Sequence, residues 1–233
     1  DLFGDVSVAG VSPLLGAASR QRTAAIQRVV GWLDAGTARG ALSSFNTLDA
    51  DYHVLIIAPQ THTGNYRADA YEFGEPRPLR RTEVINDVWQ AVPFFDAYLR
   101  NGGAATPRRE VRYYTYVERQ WKSTEVWPPA GFEWQRWYFA PDGGLSRTAP
   151  ATETGEDTYT VDFEATTGLD NRWFSGLAGV PIRYVDRAAQ DQRLLVYETP
   201  AMTEDVELTG HPVVSLDRKS TRMNSSHRIR SRM

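Results

Sequence analysis

VVGWLDAGTARGALSSFNTLDADYHVLIIAPQTH, residues 29–62, decides the reading of this chain. The run Val54-Leu55-Ile56-Ile57 is continuously apolar and stops at Pro59, as expected of a strand buried on both faces in a parallel sheet. Ala25–Gly31, ending in Val29-Val30, reads as a strand. The small-residue stretch Ala35–Phe45 reads as a helix lying close on a sheet. Strand, helix, strand is a βαβ unit, and its spacing fits a doubly wound sheet. Asp34 follows the first strand and His62 the second, so parallel strands bring both residues to the carboxyl edge of the sheet, where such folds hold their ligands.

An acid and then a histidine at the ends of successive strands is the order of the last two members of a Ser–Asp–His constellation. Imidazole takes a proton from a serine hydroxyl near neutral pH and returns it to a leaving group. A carboxylate on Nδ1–H fixes the tautomer that this requires. Each residue also has a structural reading. Asp34 could cap the following helix, and His62 could be an ordinary loop histidine. The nucleophile's usual setting, Gly-x-Ser-x-Gly, occurs nowhere in the 233 residues. The expectation is a piece of a longer hydrolase that begins after its serine.

Beyond this unit, Ile85, Val88, Val92, Phe95 and Leu99 recur at helical spacing. Pro93 predicts a kink or break, and Asn101-Gly102-Gly103 a stop. Ala104–Arg109 reads as a linker. The character then becomes β. Val111–Val117, Trp134–Phe139, Thr158–Phe163, Arg193–Glu198 and Val213–Leu216 read as short strands. Turn signals separate them, among them Pro128-Pro129 and Pro141-Asp142-Gly143-Gly144, and together they predict a β-sandwich or jelly roll.

The bulk composition restricts the partners. With no cysteine there is no disulfide, thiolate metal site or Cys nucleophile. Neither a secretory signal nor an apolar run long enough for a membrane span is present, so no membrane partner is expected. The net charge of −3 divides unevenly. Six basic residues and one acid in 217–233 give +5, leaving 20 basic and 28 acidic residues, or −8, in the rest. An acidic body argues against nucleic acid. Residues 217–233 have no apolar period. Three readings compete for them: a basic nucleic-acid arm, a solvated tail, and the translation of a sequencing adapter with Met223 in place of Leu. The last fits best, so the tail is expected to be non-native and is set aside.

The motifs in order resemble the cocaine esterase / Xaa-Pro dipeptidyl-peptidase family of serine hydrolases. Those that carry the likeness are Gly31-Trp32-Leu33-Asp34, Pro59-Gln60-Thr61-His62, Ala97–Gly102, Val111–Val117 with Trp121 and Trp127-Pro128-Pro129, Leu194–Thr199 and Glu204–Gly210. The likeness covers roughly residues 20–216. One departure is Gln60, where the family usually has Trp. The resemblance implies an α/β plus all-β chain: residues 1–108 as the C-terminal portion of an α/β-hydrolase domain, and 109–216 as a truncated galactose-binding-like jelly roll. It implies that Asp34 and His62 are triad members. It places the serine, and an oxyanion hole of a Tyr hydroxyl and a backbone N–H, outside this chain. The tryptophans and tyrosines of 113–138 read first as filling a sandwich core and the seam between domains, with Trp32, Trp121 and Trp127 as the candidates for lining a cleft. The substrate is expected to be a small-molecule or peptide acyl group, with no cofactor or metal, and the fragment alone is expected to be inactive. The residues leave two other readings open: a non-catalytic, glycan-binding jelly-roll protein, and a family member that has lost activity. His53 and His211 read as structural residues.

Overall fold

The computed structural model describes residues 24–62, 66–67, 77–78, 91–100, 107–151, 155–166, 168–169, 171, 173–174 and 186–216. Expectations for 1–23, for Ile85 and Val88, for the 101–103 stop and for 217–233 lie outside them. The central layer is a four-stranded sheet of β1 (Ile26–Gly31), β2 (Tyr52–Ala58), β5 (Arg108–Thr115) and β6 (Gln120–Thr124), in the order β1-β2-β5-β6. β1, β2 and β5 run parallel; β6 is antiparallel to β5. Two short pairs complete the strands among the described residues: β3 (Tyr66–Arg67) with β4 (Arg77–Pro78), and β7 (Tyr138–Ala140) with β8 (Gly144–Ser146).

Helix α1 (Thr37–Thr47) crosses from β1 to β2 and buries Ala38, Ala41, Leu42, Ser44 and Phe45, one stripe at helical spacing. Against this stripe lie Leu55 and Ile57 of β2, Val111 and Tyr113 of β5, and Trp127. The small residues at 38 and 41 let the helix sit close to the sheet, and Phe45, with no exposed surface, fills the space between. The other face of β2 is covered too, since Val54, Ile56 and Ala58 are all buried. Tyr52, on that second face by strand alternation, packs on Phe94 and Tyr98 at 5.5 and 5.4 Å. Helical backbone therefore lies on both sides of β2, which is why its sequence is apolar throughout. Residues 91–95 are α-helical and Asp96–Arg100 form a π-helical turn, so the regular ladder is broken just after Pro93.

Two expectations about the β region change. The strand expected to open a separate sandwich, Val111–Val117, is instead β5, paired with β2 from Tyr52↔Arg108 to Ile57↔Tyr113. The 108/109 boundary thus falls inside a strand of the shared sheet. The chain reverses after Thr115 through Val117 and Arg119, both at positive φ, and returns as β6. Lys122 of β6 bridges Glu118 and Glu207, each at 2.6 Å, tying the 204–210 segment to the sheet. The second change concerns Thr158–Phe163, Arg193–Glu198 and Val213–Leu216, which form no strand. Their only ladder contact among the described residues is the bridge Gly144↔Glu198. A strand needs a neighbour for its backbone, and without one the apolar side chains stay in water; Phe163 is 82% exposed. Of Trp134–Phe139, only Tyr138 and Phe139 are in a strand. The predicted Pro141-Asp142-Gly143-Gly144 turn joins β7 to β8.

Candidate active site

Parallel pairing in the register Gly31↔Ala58 ends β1 and β2 side by side. The pairing continues past the strands: Trp32 N–H donates to Ala58 O at 3.0 Å and Leu33 N–H to Gln60 O at 3.2 Å. Glycine at 31 makes this approach possible. A Cβ there would stand 2.2 Å from the Gln60 carbonyl oxygen and 2.9 Å from its carbon. The two loops then diverge, one to Asp34 and the other to His62.

Their side chains meet. His62 Nδ1 lies 2.8 Å from Asp34 Oδ1. Asp34 is 8% exposed, while the His62 side chain is 42% exposed. The acid is thus held inside and the imidazole opens to solvent. Thr37 Oγ1 donates to the other carboxylate oxygen, Oδ2, at 2.9 Å, and Thr37 N–H to Asp34 O at 3.0 Å. Asp34 does not cap α1. The cap position is Gly36, which makes no side-chain bond to the helix, and the Asp34 carboxylate is turned to His62 and Thr37. In the tautomer that donates Nδ1–H to the carboxylate, Nε2 is the acceptor nitrogen of the ring.

The three tryptophans expected at a cleft have different places. Trp32 is half-buried; its ring N–H donates to Tyr114 O at 2.9 Å. Trp121 is 49% exposed on β6, edge-on to Tyr114. Trp127 lies in the core cluster, the first of its two readings. It is 6% exposed, packs T-shaped on Tyr113 at 5.3 Å and beside Trp32 at 6.1 Å, and its carbonyl accepts Asn46 Nδ2 at 3.1 Å. The sheet it packs on is the one β5 joins, and that sheet leaves this ring no open side. Three residues near the pair were not singled out from sequence as site residues. Gly31 and Thr37 were visible only as members of motifs. Trp173, 4.0 Å from where a Gly36 Cβ would stand, had no local signal at all.

His53, at the start of β2, takes no part. It is fully buried against the Phe45 ring, at 5.0 Å. Burial first, then the Arg109 and Arg28 guanidinium groups, lowers its pKa to about 4, so it is neutral at physiological pH. No cluster of three or more His, Cys, Asp or Glu suited to a metal occurs among the described residues. No described helix is long and apolar enough to cross a membrane.

Comparison with known proteins adds the family. Residues 90–226 match the X-Pro dipeptidyl-peptidase C-terminal non-catalytic domain, a β-sandwich domain. A candidate serine esterase of Mycobacterium bovis and another of Mycobacterium tuberculosis are each 36% identical over 203 residues, covering 85% of this chain. The chain spans 31% of the length of each relative. No solved structure matches significantly. Asp34 and His62 both precede the matched non-catalytic domain.

Proposed function

Because the chain belongs to the cocaine esterase / X-Pro dipeptidyl-peptidase family of serine hydrolases, we propose that it carries the acid and the base of a Ser–His–Asp triad. The observation that carries this reading is the 2.8 Å contact between His62 Nδ1 and a buried Asp34 carboxylate at the ends of adjacent parallel strands. The βαβ unit would be the last part of an α/β-hydrolase domain, and the β-rich remainder would belong to a jelly roll. The nucleophile would be a serine outside these 233 residues.

In this mechanism His62 Nε2 takes the proton from the serine hydroxyl as its oxygen attacks the acyl carbon. Asp34 stabilises the imidazolium that forms and holds the ring in register. The same proton then passes to the departing alcohol or amine. In the second half-reaction His62 draws a proton from water as its oxygen attacks the acyl-enzyme, and gives that proton to the serine oxygen as the acyl–serine bond breaks and the acid leaves. The substrate class is an ester or amide acyl group, with Xaa-Pro dipeptidyl amides among the candidates. The isolated chain would have no turnover, because no activated nucleophile accompanies the base. The burial of Trp127 takes that one indole out of a glycan-binding role.

The test uses the full-length protein and two substrates, p-nitrophenyl acetate and Ala-Pro-p-nitroanilide. His62→Ala is expected to lower kcat by about three powers of ten or more on whichever substrate is turned over. Wild-type turnover by His62→Ala would remove His62 from the chemistry and end this reading.

A further inference from the structure

We propose that Thr37 is the positioning residue for the Asp34 carboxylate, an inference that rests on the triad reading above. A carboxylate that orients a histidine must itself be oriented. Asp34 has one oxygen, Oδ1, committed to His62 Nδ1. In a buried site the other oxygen needs a donor too, both to avoid an unsatisfied charge and to stop rotation about Cβ–Cγ. The hydrogen bond recorded at Oδ2 comes from the Thr37 hydroxyl, at 2.9 Å.

The geometry favours that hydroxyl as a fixed donor. Thr37 is the first residue of α1, and its backbone N–H is bonded to Asp34 O at 3.0 Å, so the main chain on both sides of the contact is held. Its side chain is β-branched and therefore restricted in χ1. The hydroxyl is also 3.0 Å from Asp34 O. That carbonyl already accepts the Thr37 N–H, and a carboxylate is the stronger acceptor, so the single proton belongs on Oδ2. Nor is the hydroxyl needed for helix capping, because the cap position is Gly36. Sequence offers no direct sign of this role: a threonine three residues after an aspartate is also an ordinary turn residue. Closing the turn would contribute to stability alone, whereas orienting the carboxylate contributes to turnover.

The two roles separate in Thr37→Val, which keeps the branched shape and deletes the donor, and Thr37→Ser, which keeps the donor. Both are measured in the full-length protein on the substrate it turns over, with His62→Ala alongside. Thr37→Val is expected to lower kcat about 10- to 100-fold, the equivalent of one charge-assisted hydrogen bond, with KM changed less than about twofold, since Thr37 does not touch substrate. Thr37→Ser is expected to stay within about threefold of wild type, because the donor remains. In proton NMR, the low-field His62 Nδ1–H resonance is expected to be kept in Thr37→Ser and to broaden or move in Thr37→Val. Thr37→Ala serves in place of Thr37→Val if the latter does not fold. Wild-type kcat in the donor-less variant, equal losses in Val and Ser, or a change confined to KM would overturn the proposal. If that happens while His62→Ala is inactive, the triad reading stands and only Thr37 is removed; full activity in His62→Ala ends both.

Discussion

Gly31→Ala puts the smallest possible side chain at the tightest point of the site. The added Cβ would stand 2.2 Å from Gln60 O, whereas ordinary contact begins near 3.4 Å, so about 1.2 Å of separation must be found. β1 cannot supply it easily, because it is in register with β2 from Ile26↔His53 to Gly31↔Ala58. The Gln60 carbonyl is the part that yields, and it lies two residues before His62. Its movement first breaks the 3.2 Å hydrogen bond from Leu33 N–H, which joins the two loops. If His62 follows by the same distance, its 2.8 Å contact with Asp34 opens to about 4 Å, beyond hydrogen-bonding range.

Displacement of a reacting group by about 1 Å costs on the order of 100-fold in rate. Gly31→Ala is therefore expected to lower kcat/KM of the full-length protein by about that factor, with a stability loss of about 1–3 kcal/mol from overpacking. The control is Gly40→Ala on α1, where an added Cβ meets nothing within 4 Å. It is expected to leave kcat/KM unchanged and to stabilise the helix by about 0.5–1 kcal/mol. Both effects are read from initial rates and chemical denaturation. A Gly31→Ala protein with wild-type kcat/KM would refute the reasoning, because it would mean that the two loops separate without disturbing the pair.

Two further outcomes concern the body of the fold. His53 has a folded pKa of about 4 against an ordinary 6.5, so the unfolded chain binds the extra proton first. Its contribution is intact above pH 6.5, is lost as pH falls toward 4 and levels off below; at 1.36 kcal/mol per unit the loss is at most about 3 kcal/mol. Denaturation midpoints measured across that range should slope for wild type and lose this slope in His53→Leu; equal slopes would show that His53 is not the group responsible. Trp127→Ala should cost about 3–5 kcal/mol by opening a cavity between α1 and β5. A change under about 1 kcal/mol on chemical denaturation would contradict its placement in the core.

Local sequence carried the βαβ unit well, for a physical reason. β2 is covered on both faces, so every position selects for apolar residues, and the run can be read without knowing what covers it. Asp34 and His62 follow from that alone, since parallel strands have one carboxyl edge. β5 was harder. Its tyrosines lie on both faces, a pattern that suits the edge of a sandwich as well as a place beside β2. Partner choice is set by the register Leu55↔Val111, 56 residues apart, which no local window contains. The place of Trp127 is set in the same way. Core filling and cleft lining were both open to it from sequence, and its enclosure comes from Trp32, Asn46 and Tyr113, all distant in sequence. The runs near 160, 195 and 214 carry strand composition, yet their one described ladder contact is the Gly144↔Glu198 bridge. β-propensity expresses fit to a neighbouring strand rather than an intrinsic backbone choice, so composition alone could not decide them.

The βαβ unit and the β region that follows it meet at Trp32. This residue lies between Gly31, whose missing side chain admits the Gln60 loop, and Asp34. Its ring N–H is bonded to Tyr114 O of β5, and its face lies beside Trp127. Both partners fall within the 90–226 match to a domain described as non-catalytic. One wall of the Asp34 loop is therefore built by residues of that matched domain. A backbone carbonyl and a buried indole cannot alter the chemistry of His62 directly. They can fix where the Gly31–Asp34 turn sits, and so the distance across which the carboxylate meets the imidazole. The contact between Asp34 and His62 is made by the loops after β1 and β2; the turn that carries Asp34 also leans on β5 and on the segment that follows β6.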